Sequence, residues 1–332
     1  MALRMQFFGS FHRGSRIHSD NALSECWRQI ERIATVESLE RLAASKGRSV
    51  EVAKLASIRL RQGIELRRAS QGASIQTRPL LLYYSALNLM RGIMLGYPGD
   101  MGAPLHGLRF VAAKELLDCR AKVNAKGTFS SFLKSLNWPE DEFKGKEFTL
   151  RELLLMIPET YQDHGCISKF SATAVVEVTA YMDGETLLNI VVSSLTPDEF
   201  AQTWQTMFPW FSELCVATDQ DFVLRVKNKL LTTEAVETFC EQHLWRDLRF
   251  RQETIWYDHV CTRASGNLDR RAVYLAALFI LSNVTRYEPE LLSNAQDTAN
   301  ELGFFINGFL DAAERFFPQL VLELDTGPVY FV

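Results

Sequence analysis

The sequence has no apolar stretch long enough to cross a bilayer. Its longest such runs, Pro79–Met90 and Tyr274–Leu281, fall well short of the roughly 20 residues that a spanning helix needs. The first residues place Arg4, Arg13 and Arg16 around a short Met5–Phe8 patch, without the apolar core and small-residue cleavage site of a signal peptide, so a cytoplasmic protein is expected. Cysteine is scarce and unpaired in sequence: the six (Cys26, Cys119, Cys166, Cys215, Cys240, Cys261) include no CxxC pair, and reduced thiols are expected. GxxxxGK[ST], GxGxxG after a strand, GxSxG and HExxH are all missing. The usual support for nucleotide hydrolases, dehydrogenases, esterases and zinc proteases is therefore missing too. Neither an internal repeat nor a low-complexity linker is present, and no cofactor is expected.

What is present suits a sizeable core: 332 residues, 47% of them hydrophobic and 23% charged, a balance that disordered chains do not have. The net charge of −4 hides a division. Residues 1–130 carry 20 basic and 10 acidic side chains, whereas residues 131–332 carry 16 and 30. An arginine-rich basic half is the electrostatic footprint of phosphate binding. Oppositely charged halves can equally attract each other within one fold or between copies.

Apolar residues recur at helical spacing over 20–45 (Leu23, Trp27, Ile30, Ile33) and 49–70 (Val52, Leu55, Ile58, Ile64), which predicts two amphipathic helices. Pro79 can open a nearly all-apolar central helix, Leu80–Leu95, ending near Gly96 and Pro98. Thr149 and Glu152 have capping-box spacing, and Pro158 closes the short helix they begin. Over Ala174–Val192, β-branched residues flank Asp183-Gly184, which predicts an antiparallel hairpin on a two-residue type I′ turn. Thr196, Pro197 and Glu199 open a further helix bearing Phe200, Trp204, Phe208 and Phe211, with a kink expected at Pro209. Helices are expected near 233–246, 270–287 and 297–316, and 247–260 fits strand and helix alike.

On the central helix, Tyr84, Asn88 and Arg91 stand at i, i+4 and i+7, one stripe of an otherwise leucine- and methionine-rich surface. Such a stripe faces either Glu65 and His106, as a lock between helices, or a ligand. With a ligand, Arg91 meets a phosphate or carboxylate, Tyr83 or Tyr84 supplies a stacking face, His106 donates or titrates, and Gly107 allows close backbone approach. Arg61 and Arg68 share a face of the preceding helix, with Glu65 between them and Arg59 and Arg67 nearby. They read as a nucleic-acid patch or as a solvated face.

The stretches Arg61–Glu65, Arg78–Leu89 (RPLLLYYSALNL), His106-Gly107-Leu108, Phe148–Pro158 (FTLRELLLMIP) and Ile280–Leu291 (ILSNVTRYEPEL) together resemble the YaaC-like bacterial protein family. A tyrosine pair and an arginine on an apolar helix, followed by His-Gly in a loop, is also similar to HEPN domains. The resemblance implies a mainly α, HEPN-like helical bundle with a small inserted β-hairpin. The chain then reads as one interlocked domain over 1–332, with a helical core at 20–160, the hairpin at 170–195, and C-terminal helices at 196–332 packing on that core. It also implies nucleic-acid-related biology or phage defence.

Catalytic HEPN domains are ribonucleases with an Arg-x4–6-His motif. Only Arg13 and His18 have that spacing, a match expected about once by chance in a chain with this many arginines and histidines. Arg251 and His259 are too far apart. Asp163-His164-x-Cys166 and Asp258-His259-x-Cys261 repeat one pattern, but structural zinc sites use other spacings, so no metal is expected. The expectation is a noncatalytic module that binds a protein partner, a second copy of itself, or nucleic acid through the basic half, with no membrane association. The alternatives are a metal-independent ribonuclease, with Arg13, His18 or His106 as candidates, and a structural oligomer.

Overall fold

A computed structural model describes residues 15–45, 47, 49–94, 105–136, 140–168, 173–191, 195–246, 248, 258–262, 268–297, 301–326 and 329–331. The chain, which shows no linker in sequence, divides into two compact units. A helical unit comprises Ser19–Leu154 and Leu268–Val329, and a sheet unit comprises Met1–His18, Leu155–Asn267 and Tyr330–Val332. The described secondary structure is mainly helical, with small antiparallel sheets.

The helical unit begins with α1 (Ala22–Ile33), α2 (Val36–Ser45), α3 (Val50–Ser70) and α4 (Arg78–Met94). The Asn21 side chain accepts from the Ser24 N–H at 3.0 Å, which satisfies one exposed donor of α1. A three-stranded antiparallel sheet follows, made of β1 (Leu108–Val111), β2 (Arg120–Val123) and β3 (Glu147–Thr149). Between β2 and β3 lies α5 (Thr128–Ser135). The expected capping box opens α6 (Leu150–Leu155): the Thr149 N–H donates to Glu152 at 2.8 Å, and the Glu152 N–H donates to Thr149 Oγ1 at 3.1 Å.

In the sheet unit the expected hairpin is present as β4 (Thr173–Ala180) and β5 (Thr186–Val191). Its turn differs from expectation. The Gly184 N–H donates to Tyr181 O and the Tyr181 N–H to Glu185 O, both at 2.9 Å, so the loop has three residues, Met182 to Gly184. The glycine takes the left-handed position that such a loop requires. Nor is the hairpin isolated. With β6 (Cys215–Ala217), β7 (Val223–Val226), β8 (Trp245–Arg246) and β9 (Asp258–Thr262), it forms a six-stranded antiparallel sheet in the order β6-β7-β5-β4-β9-β8.

One face of that sheet is apolar, with Val176, Val178, Leu188, Ile190, Leu224 and Val226 buried on it. The helices α7 (Pro197–Met207), α8 (Pro209–Leu214) and α9 (Thr233–His243) cover it with Phe200, Trp204, Phe208, Phe211 and Phe239. The full capping box of Thr196 and Glu199 starts α7. At Pro209 the helix breaks instead of kinking, and a new helix starts on the proline, where its missing N–H costs nothing.

The helical unit is completed by α10 (Arg270–Tyr287), α11 (Pro289–Asp297) and α12 (Leu302–Thr326). Expected over 297–316, the last helix runs on through Pro318. A proline inside a helix frees the carbonyl four residues back, here that of Glu314, and this oxygen accepts from the Trp27 indole N–H at 3.2 Å. The Glu314 carboxylate takes Arg67 at 2.8 Å and Arg78 at 2.9 Å, and Arg78 also reaches Asp311 at 2.7 Å. This largely buried network joins α1, α3, α4 and α12. At the centre, α4 packs against α3, α10 and α12, with Leu82, Ala86, Leu87, Leu89, Met90 and Ile93 buried.

Candidate functional site

The tyrosine, arginine and histidine residues singled out in sequence meet in the helical unit, where the loop before β1 crosses α4. Tyr83 is only 1% exposed. Its hydroxyl lies 2.9 Å from His106 Nδ1, its one hydrogen-bond partner among the described residues. Burial, reinforced by Tyr84, pushes the phenol pKa up against the pull of Arg91 and Arg286, so the hydroxyl keeps its proton. Where the hydroxyl donates to Nδ1, neutral His106 carries its proton on Nε2; where Nδ1–H donates to the phenol oxygen, Nε2 holds the lone pair. Among the described residues no group hydrogen-bonds Nε2. Phe279 of α10 and Tyr84 complete the ring cluster, with centroids 6.2 and 6.0 Å from His106.

The loop is fixed by backbone contacts. The N–H groups of Thr128 and Phe129 donate to Leu105 O at 3.0 Å and His106 O at 2.9 Å, and the Asn124 N–H donates to Gly107 O at 2.9 Å. Gly107 admits the close approach of Gly127. A Cβ on Gly127 would stand 2.3 Å from the Gly107 nitrogen, and both glycines have positive φ, 81° and 130°.

Around this loop three guanidinium groups gather. Arg91 Nε donates to Thr128 Oγ1 at 2.9 Å. Arg59 of α3 donates to Asn88 Oδ1 at 3.4 Å and Gln62 Oε1 at 3.2 Å. Arg286, at the end of α10, donates to Asn283 Oδ1 at 3.0 Å and Ser282 O at 3.4 Å. Among the described residues, Arg59 and Arg286 have neutral partners only and no carboxylate. The charges are close enough to act on one another: burial and then Arg59 lower the Arg91 pKa, and burial followed by Arg91 and Arg286 lowers that of His106. His106 therefore stays neutral where an ordinary histidine begins to protonate.

The expected stripe thus survives in altered company. Tyr84, Asn88 and Arg91 face His106, Arg59 and Thr128, whereas Glu65 is drawn to Arg68 at 2.8 Å. Arg68 also bonds Glu31 at 2.7 Å. Arg67 is taken into the Glu314 network, and Arg61 is exposed on α3. The four arginines of α3 have diverged in role. His18 is exposed and belongs to the sheet unit, and Arg13 lies outside the described residues. His164 is buried in a 3-10 turn, Pro158–Cys166, 3.4 Å from Thr160 Oγ1. The Asp258, His259 and Cys261 side chains and Arg251 lie outside the described residues. Among the described residues no group of three or more His, Cys, Asp or Glu is arranged to hold a metal ion.

Sequence reasoning missed Thr128, Phe279 and Arg286. Nothing in the sequence links Arg286 with Arg59, more than 200 residues away.

A family profile for YaaC-like proteins matches residues 14–324. The chain belongs to the YaaC-like protein family. No curated protein and no solved structure matches it. For this YaaC-like protein, the chemistry of the site must be read from its own residues. Three guanidinium groups, a histidine and the rings of Tyr83, Tyr84 and Phe279 stand around one loop. No described helix is long and apolar enough to cross a membrane.

Proposed function

We propose that this YaaC-like protein is a noncatalytic nucleic-acid-binding module, and that Arg59, Arg91, Arg286 and the Nε2–H of His106 hold backbone phosphate. The observation that carries this reading is the gathering of three guanidinium groups, two of them bonded only to neutral groups among the described residues. Like charges held together repel, and a bound phosphate relieves that repulsion while accepting charge-assisted hydrogen bonds. The basic excess of the first 130 residues supports the same reading. So does the similarity of the Tyr83-Tyr84, Arg91 and His106-Gly107 arrangement to HEPN domains, and with it comes a role in phage defence or stress. A Tyr83 hydroxyl that donates to His106 Nδ1 would put the ring proton on Nε2, which speaks against the alternative, a ribonuclease using His106 as base.

The test is fluorescence anisotropy with a labelled RNA oligonucleotide, comparing wild type with Arg286→Ala and Arg59→Gln, side chains at the rim whose loss leaves the core intact. Each is expected to weaken binding about tenfold, the worth of a lost charge-assisted contact. Unchanged affinity in both variants would reject the site. RNA cleavage that is abolished by His106→Gln would reject the noncatalytic assignment.

A further inference from the structure

The arginine at the end of α10 sits beside an aromatic ring that the core does not use. Tyr287 is 63% exposed, and the Arg286 guanidinium lies 4.9 Å from its ring centroid. Exposed aromatics scattered singly are common and need no explanation. This one is coupled to the cation cluster through the guanidinium that also acts on His106. Arg286 is held from its other side by Asn283 and Ser282, and Asn283 in turn donates to Phe279 O at 2.7 Å. The guanidinium is thereby oriented before any ligand arrives. The helix ends here, with the Glu288 N–H closing on Val284 O at 2.9 Å. Glu288 is half-buried, and its charge acts on the Cys119 thiol.

Cations that track phosphates, next to a ring that can stack a base, form the arrangement by which single strands are held without sequence readout. A duplex offers its phosphates to such a site but keeps its base faces stacked inside, so the ring gains nothing from it. The geometry points to Tyr287 as a base-stacking platform, and so to single-stranded nucleic acid as the ligand class. This inference rests on the anion-site reading above. The neighbouring Arg286 has two tasks: it bonds a phosphate and holds the tyrosine ring by a cation–π contact.

The experiment measures three probes on the full chain: a labelled single-stranded RNA decamer, the same sequence as a duplex, and inorganic tripolyphosphate. Wild type is expected to prefer the single strand to the duplex. Tyr287→Ala is expected to weaken single-strand binding about tenfold or more, the usual consequence of losing a stacked base, while tripolyphosphate binding stays unchanged and Tyr287→Phe restores the affinity. Three results would overturn the inference: Tyr287→Ala without effect on the single strand, an equal loss for tripolyphosphate, or a duplex bound at least as tightly as the single strand. If wild type binds none of the three probes, the anion-site reading itself falls and this inference falls with it.

Discussion

Replacing Gly127 by alanine tests how the His106 loop is held. The added Cβ would stand 2.3 Å from the Gly107 nitrogen and 2.5 Å from its Cα, distances at which backbone atoms must move. It would also sit on a residue with φ of 130°, where side chains are strained. Strain and steric displacement together cost about 3 kcal/mol. For a cooperative unit of roughly 200 residues, that lowers Tm by about 6–12 °C. Gly72→Ala is the control, because its φ is also positive, 79°, but nothing lies within 4 Å of the added Cβ. Strain alone remains there, about 1 kcal/mol. Thermal unfolding by circular dichroism reads both variants, and anisotropy at a temperature where both are folded reads binding. Gly127→Ala is expected to lose oligonucleotide affinity because His106 O and Gly107 O must shift from their bonds to Phe129 and Asn124. If the two variants melt alike, or if Gly127→Ala binds as wild type does, the close glycine contact does not position the site.

Other perturbations reach other parts of the argument. With three guanidinium groups meeting phosphates on a single strand, the logarithm of affinity should fall with that of salt with a slope of about −2, and Arg286→Ala should flatten it by about 0.7; an unchanged slope in the variant removes Arg286 from the contact. Glu314→Gln breaks a largely buried network and should cost about 3 kcal/mol in denaturant unfolding, whereas Arg68→Ala loses only exposed pairs and costs at most about 1 kcal/mol; equal effects would contradict the burial argument. Burial lowers the pKa of both His106 and His243 from 6.5, so below that value the unfolded chain binds protons that the native chain resists. Stability should be full above about pH 6.5 and decline as the pH falls below that value, and His106→Gln with His243→Gln should flatten this decline; stability that rises on acidification would reverse the sign. Trp27→Phe strands the carbonyl freed by Pro318 and should cost about 1–3 kcal/mol in the same unfolding assay; no loss would mean that this oxygen finds another donor.

Much of the helical part was legible because its signals are local. The spacing of Leu23, Trp27 and Ile30, the apolar run after Pro79, and the hydroxyl–carboxylate pairs Thr149–Glu152 and Thr196–Glu199 all act within a few residues, and α3, α4, α6 and α7 stand where they were expected, whereas the single helix expected over 20–45 is divided into α1 and α2. Strands of three or four residues, such as Leu108–Val111 and Cys215–Ala217, are too short to show a period. The three-stranded sheet and most of the six-stranded one were therefore missed. The family kinship was likewise carried by contiguous segments, and these lie inside the matched region.

The sequence alone determined that α4 would be a buried rod with Tyr84, Asn88 and Arg91 on one stripe, because helical periodicity allows no other arrangement. Only the tertiary structure decided what that stripe meets. Arg59 and Arg67 differ by eight residues on one helix, yet one bonds Asn88 of α4 and the other is tied to Glu314. Arg286, from the far end of the chain, is brought close enough to act on His106. The hydrogen-bond partner of His106 is likewise a tertiary fact: it is a buried hydroxyl 23 residues away. Periodicity fixes which side of a helix a residue occupies; the charge and hydrogen-bond state of that residue depend on neighbours that only folding supplies.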